Sequence, residues 1–345
     1  MPKRQFLQSI LCLKSKRISM KKKNKQGFFS TKVSPRIQLY GSVGLCFLGL
    51  FSTIGYLSFW FPGLERVNHF RLQYFILSLF LLILFGASRL KVLVLCCLPI
   101  FFINLAEVGY LYLPTPSVQK GIPLKVMVAN IYSRNELFPQ VLQVIQKESP
   151  DVLAVLEVNN RLAYYLSEMK DEYPYQFILP RADNFGIALL TKKEISPIQK
   201  PSDVYLSSVP TIMGRYLVGS QDLLICATHP VPPINSDYLI SRNQQLNKLA
   251  NFTNRYKGNL VLLGDLNTSP WSNVYRSFES SGRLINSRKG FGVIPTWPSN
   301  GPLISIPLDH ILVRATMGIQ KTYRVYLPGS DHYGLVSNIL LPSKE

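Results

Sequence analysis

The hydrophobic pattern changes character once along the chain. Ile37–Phe61 is 25 positions without a charge. At about 1.5 Å per residue, a helix of that length exceeds the roughly 30 Å of bilayer hydrocarbon. A polar break from Pro62 to Arg71 precedes a second uncharged run, Leu72–Ser88, which at 17 residues is short for a span. Arg89 and Lys91 make a tight basic turn, and a third apolar run continues from Val92 past Glu107 to Leu113. The pattern predicts three transmembrane helices, over 37–61, 72–88 and 92–113. A re-entrant hairpin is the alternative for the second and third. A cleaved signal peptide is disfavoured, because the first run is too long and no A-x-A-like site follows it.

From Lys125 onward, short apolar runs alternate with polar segments. Strands are predicted over Lys125–Ala129 (KVMVA), Val152–Leu156, Phe185–Thr191 (FGIALLT), Tyr216–Gly219, Leu223–Thr228, Leu260–Leu263, Leu308–Val313 and Val336–Leu341. Phe138–Lys147 has helical spacing, with Val141, Leu142, Val144 and Ile145 apolar, and Ser241–Tyr256 is an amphipathic helix. Helices separate only some of the strands. That predicts an α/β (α+β) domain of packed mixed sheets rather than a simple βαβ array.

Charge sharpens the division. Residues 1–117 hold 15 basic and 2 acidic side chains, and residues 118–345 hold 23 and 17, so the +19 of the chain lies mostly in the first third. It is therefore a poor sign of nucleic-acid binding and a better one of membrane topology. Residues 1–36 contain 11 Lys and Arg and no acid, and read as a flexible basic arm. Lys and Arg stay on the cytoplasmic side. The arm and the Arg89/Lys91 turn are thus expected inside, and residue 114 onward outside. The expected organisation is a cytoplasmic arm (1–36), a membrane region in the lipid bilayer (37–113), a linker (114–121) with Pro114, Pro116 and Gly121, and a soluble domain (122–345). The protein is expected in the cell membrane as a multi-pass chain with an extracytoplasmic domain. Of the five cysteines only Cys226 falls in the domain, so neither a disulfide framework nor a zinc spacing is available there.

The stretch richest in chemistry is NLVLLGDLNTSPW, Asn259–Trp271. A buried strand is expected to end at Gly264, where the chain turns and presents Asp265 and Asn267. A carboxylate and an amide held there would orient a water and a phosphoryl oxygen. The ordinary reading is turn chemistry, since Asp and Asn favour loops for local reasons. Asn130, Glu157, His229, Asp309 and Asp331 also fall at strand ends or in turns, and His332 follows directly. Each alone has an ordinary explanation. Together they are rich in carboxylates, Asn and His, in a domain with few His.

VAN at Asn130, LAVLE at Glu157, FGIALLT, CATHP at His229, LLGDLNTSPW, LDHILV at Asp309 and GSDH at Asp331 and His332 make the chain resemble the endonuclease/exonuclease/phosphatase superfamily, with its pancreatic-deoxyribonuclease-like fold, over about residues 122–341. THPVPP, NTSPW and PTWP (Pro295–Pro298) further resemble a bacterial membrane-anchored subgroup; Tyr333 stands where many relatives carry Arg. The resemblance implies a four-layer sandwich of two packed mixed sheets flanked by helices, with the site at one edge, and Mg²⁺ or Mn²⁺ as cofactor. Hard oxygen ligands fit such an ion. Carried over, Glu157 is the main metal ligand with Asn130 and Asp331, Asp265 activates the water, and Asn267 holds the water or the phosphate. His332, paired with Asp309, is the acid/base group, and His229 contacts phosphoryl oxygens. His310 is left outside the site. Trp297 either stacks on substrate or packs its loop. Arg242 either reaches a phosphate or lies on a solvated helix face. The implied function is a membrane-anchored, metal-dependent phosphoesterase acting on a nucleic acid, lipid or sugar phosphate, with a non-catalytic phosphate-binding module as the alternative.

Overall fold

The computed structural model describes residues 34–114, 120–197, 209–218 and 221–342. The basic arm up to residue 33 and most of the 114–121 linker lie outside them.

The domain is built on two six-stranded sheets. One runs β11 (Gly318–Tyr326), β12 (Tyr333–Pro342), β1 (Gly121–Asn130), β2 (Val152–Leu156), β4 (Ile187–Thr191), β3 (Tyr175–Leu179). The other runs β5 (Ile195–Pro197), β6 (Thr211–Val218), β7 (Gln221–Thr228), β8 (Asn259–Asp265), β10 (Asp309–Arg314), β9 (Leu284–Asn286). Both are mixed: β1 is parallel to β2 and β7 to β8, while the remaining pairs are antiparallel.

Strand alternation explains the layering. Successive side chains point to opposite faces. On β1, Val126 and Val128 enter the core between the sheets, while Met127 and Ala129 pack under the helices Phe138–Glu148 and Asn160–Ser167. On β8, Val261 and Leu263 face the same central core, and Leu260 and Leu262 meet the helices Ser236–Arg255 and Asn273–Ser281. With both faces covered, these strands are apolar throughout rather than alternating.

One local expectation changes. The chain does not turn at Gly264, which lies inside β8. Glycine is needed there because a Cβ would fall 2.0 Å from the carbonyl oxygen of Thr228 on β7.

Two segments, Pro35–Phe59 and Lys91–Tyr112, are long and apolar enough to cross a membrane. The middle run departs from a simple span. The helix Arg71–Ala87 is preceded by a helical segment, Pro62–Asn68, bent by 52° from it, and the pair makes a third span only if taken together. The expected polar break is thus folded. Arg71 explains why: buried among the helices, it donates to Ser52 O at 2.6 Å and to Asn68 Oδ1 at 2.5 Å, and Asn68 Nδ2 in turn donates to Gly55 O.

The helices rest on the domain through the loop after β8. Trp271 Nε1 donates to Glu107 O at 2.7 Å, Tyr110 Oη donates to Pro270 O at 3.2 Å, and His69 Nδ1 lies 2.8 Å from Ser269 Oγ. Beside them, Arg242 and Glu65 form a buried ion pair. Removing one partner of such a pair leaves an uncompensated buried charge, at a cost of about 3–5 kcal/mol. Glu65→Ala should therefore lower the thermal midpoint of the detergent-solubilised chain markedly. An unchanged midpoint would show that the pair does not hold the helices to the domain.

Candidate active site

Topology gathers the polar strand ends at one edge. Parallel β1 and β2 end together, with Asn130 opposite Leu156, and Glu157 follows. Parallel β7 and β8 also end together, with His229 just after Thr228 and Asp265 just after Gly264. Antiparallel β10 and β12 begin where their neighbours end, which brings in Asp309 and, just ahead of Tyr333, Asp331 and His332. Asp309 lies directly opposite Asp265 in the β8–β10 register.

The side chains converge on one cavity of about 440 Å³ whose lining includes Glu157, His229, Asp265, Asn267, Trp297, Asp331 and His332. Asp265 Oδ2 is its hub. His229 Nε2 lies 3.7 Å away, His332 Nε2 3.8 Å away, and Asn130 Nδ2 donates to it at 3.3 Å. The other oxygen, Oδ1, accepts the Asn267 backbone N–H at 2.9 Å. Asn267 Nδ2 donates to Pro230 O at 2.9 Å, tying the GDLN loop to the THP loop. Glu157 Oε2 accepts Ser133 N–H at 2.8 Å. Glu157 and Asn267 have φ of 61° and 50°. Non-glycine residues in the left-handed region carry strain of order 1–3 kcal/mol and cluster at functional sites.

Behind the hub, His332 Nδ1 sits 2.8 Å from Asp309 Oδ2, which leaves Nε2 facing the cavity. Asp309 N–H donates to Thr296 Oγ1 at 3.2 Å. Trp297 Nε1 donates to Asp331 Oδ2 at 3.0 Å, so this tryptophan both holds a site carboxylate and lines the cavity.

Burial and neighbouring charge set the proton inventory. Burial alone would lower the pKa of His332, but Asp309, Asp265 and Asp331 outweigh it and raise it to about 10. For Asp309, burial pushes upward while the His332 charge and hydrogen bond win, leaving it below the ordinary value. Asp265 is raised to about 7 by burial and by the Asp309 charge, against the pull of His332. Burial holds His229 below the usual imidazole value despite Glu157.

The donors suit a hard cation. Asp265, Asp309 and His332 each offer a ligand atom, all within 4.8 Å of one another, as a possible metal-holding group. The Asp309–His332 hydrogen bond, however, already occupies part of that group. Among the described residues, Asp331 Oδ1 and Asp309 Oδ1 are buried carboxylate oxygens without a hydrogen-bond partner. Oxygens left in that state are what a divalent ion satisfies.

Two side chains lie elsewhere. Arg242 is neither at the cavity nor solvated. It is fully buried, paired with Glu65, and donates to Asn267 O at 2.9 Å, because its helix faces both the GDLN loop and the N-terminal helices. His310 alternates away from Asp309 along β10 and is buried, with Nε2 2.8 Å from Thr268 O and its ring 4.6 Å from that of Tyr275. The cavity also has walls that the sequence did not reveal: Arg66 and His69 from the segment between the first two apolar runs, and Asn184 and Phe185 ahead of β4. An Arg in a break between apolar runs carries only a topology signal. Phe185 lay inside a recognised motif, but only as a strand residue.

Residues 127–332 match the model of the Endonuclease/Exonuclease/phosphatase family. The chain belongs to this family. It is accordingly a hydrolase of phosphate ester bonds, and the family's members generally depend on a divalent metal. No curated protein matches the chain significantly. Solved structures share the fold. TDP2 of D. rerio complexed with a single-strand DNA product is 14% identical, with 64% of this chain and 99% of that one covered and a TM-score of 0.51. A mannosyl-6-phosphatase of Bacteroides thetaiotaomicron is 18% identical, with 63% and 100% covered and a TM-score of 0.50. An endonuclease/exonuclease/phosphatase protein of Beutenbergia cavernae is 20% identical, with 64% and 72% covered and the same TM-score.

The raised pKa of His332 depends on Asp309. In Asp309→Asn, burial remains while the largest of the compensating charges and its hydrogen bond are gone, so the His332 titration midpoint should fall by about 2 units or more. NMR of histidine-labelled protein without added metal measures it, and an unmoved midpoint would break the proposed pairing.

Proposed function

We propose that this family member is a membrane-anchored, Mg²⁺- or Mn²⁺-dependent phosphodiester hydrolase. The observation that supports it most is the meeting of Asp265 with His229 and His332 at the cavity that Glu157 also lines. A non-catalytic binding module would have no need of two buried imidazoles placed on one buried carboxylate.

In this reading Glu157, Asn130 and Asp331 hold the cation, which when bound supplies positive charge to a phosphoryl oxygen. Asp265 accepts a proton from the attacking water and orients it. The backbone N–H of Asn267 fixes Asp265, and its side chain keeps a second amide N–H for substrate. His332, held by Asp309, keeps a proton on Nε2 facing the phosphate, and His229 meets the developing negative charge from the other side. The fold does not choose the ester, since one neighbour carries a DNA product and another is a mannosyl-6-phosphatase.

The full-length chain in detergent should hydrolyse an activated phosphodiester with Mg²⁺. Asp265→Asn should lower kcat by about 10²–10⁴-fold, the usual range for an acid–base group. Glu157→Gln should keep the fold and raise the Mg²⁺ concentration needed for half-maximal rate. If folded Asp265→Asn retains wild-type kcat, the mechanism is wrong.

In this reading the bent pair is the second of three crossings, and the positive-inside rule then puts the site outside the cytoplasm. A fusion at Lys120 should be active with alkaline phosphatase and dark with a cytoplasm-restricted fluorophore. The reverse pattern would place the domain inside.

A further inference from the structure

We propose that the segment from Pro62 to His69 is a wall of the active site, and that its Arg66 receives a phosphate ester carried by a membrane amphiphile whose apolar chain lies in the adjoining groove. The inference rests on the phosphoesterase and membrane readings above and names their substrate class.

Arg66 and His69 line the catalytic cavity although they lie in the break between the first two apolar runs. The segment is fixed from both flanks, by the Glu65–Arg242 pair and by His69 against Ser269. Arg66 itself is exposed. Its Nε makes a 3.4 Å hydrogen bond to Gly63 O, and it forms no ion pair among the described residues. A guanidinium there is available to an anion in the cavity.

A second cavity, of about 650 Å³, shares Arg66 and Pro233 with the first. Trp60, Phe61, Leu64, Leu239 and Ile240 give it an apolar lining. The first span reaches Phe59, and Phe59, Trp60 and Phe61 are 75%, 67% and 63% exposed. Consecutive exposed aromatics at the end of a span belong at the membrane–water interface. The groove therefore opens at bilayer level and leads past one arginine to Glu157 and Asp265.

Charge selects between occupants. Among the described residues lining either cavity, Arg66 is the only Lys or Arg. A nucleic-acid strand, charged at every nucleotide, is met by several cations along its track. One cation at the end of an apolar groove matches one phosphate at the end of an apolar chain.

The test compares two diesters with the same reacting centre, p-nitrophenyl methyl phosphate and p-nitrophenyl dodecyl phosphate, on the full-length chain with Mg²⁺ at fixed detergent. The dodecyl ester should have the higher kcat/KM, by about tenfold or more, since each buried methylene adds to binding. Partition into micelles raises that ratio without any groove, so Ile240→Glu decides. Ile240 is an exposed helix position, and the variant should reduce the dodecyl-to-methyl ratio at least about fivefold. Ile240→Asn serves if the glutamate variant fails to fold. Arg66→Ala should lower kcat/KM for both esters by about tenfold, and Arg66→Lys should restore part of it. An unchanged ratio in both folded Ile240 variants, or an unaffected Arg66→Ala, overturns the inference while leaving the hydrolase reading intact. Wild-type protein inactive on both esters with Mg²⁺ and Mn²⁺ removes that reading and the inference together.

Discussion

Two buried carboxylates stand directly opposite each other on neighbouring strands, Asp265 on β8 and Asp309 on β10. Facing like charges in a poorly solvated edge repel strongly, and the site is arranged around relieving this. His332 supplies the relief from the other sheet, with Nδ1 on Asp309 and Nε2 turned toward Asp265. The arrangement keeps His332 above the usual imidazole pKa and leaves that of Asp265 raised to about 7. It also requires the two sheets to keep a fixed offset, since Asp309 and Asp265 come from one and Asn130, Glu157 and His332 from the other. The buried, mostly aliphatic core between the sheets fixes that offset, since close-packed interiors resist sliding.

The loop from Leu266 to Trp271 links the site to the apolar N-terminal helices. At its start the Asn267 backbone N–H holds Asp265; at its end Ser269, Pro270 and Trp271 hold His69, Tyr110 and Glu107. Arg242 joins both sides, with one nitrogen on Asn267 O and another on Glu65. The helices are thus part of the site's frame. A strain at Asn267, whose φ is 50°, is held in place by contacts that include the apolar N-terminal helices.

The sequence by itself determined the central strands of both sheets and the polar residues at their ends. Short branched runs with polar ends specify strands buried on both faces, and the residues at those ends were legible because strand alternation cannot hide a charge in the core without a purpose. Asn130, Glu157, His229, Asp265, Asp309, Asp331 and His332 were all singled out on that ground. Edge elements such as β3, β9 and β11 were not legible. They mix polar and apolar positions, and their pairing depends on a neighbour distant in sequence. Tertiary structure alone decided Gly264, Arg242 and Arg66. Each answers to a partner far along the chain: a carbonyl on the adjacent strand, a carboxylate 177 residues away, and a cavity assembled from both sheets. Local pattern reports how a residue meets its own helix or strand. It is silent on which distant surface that helix or strand will face, because the packing that makes the meeting is shared among residues that no short window contains.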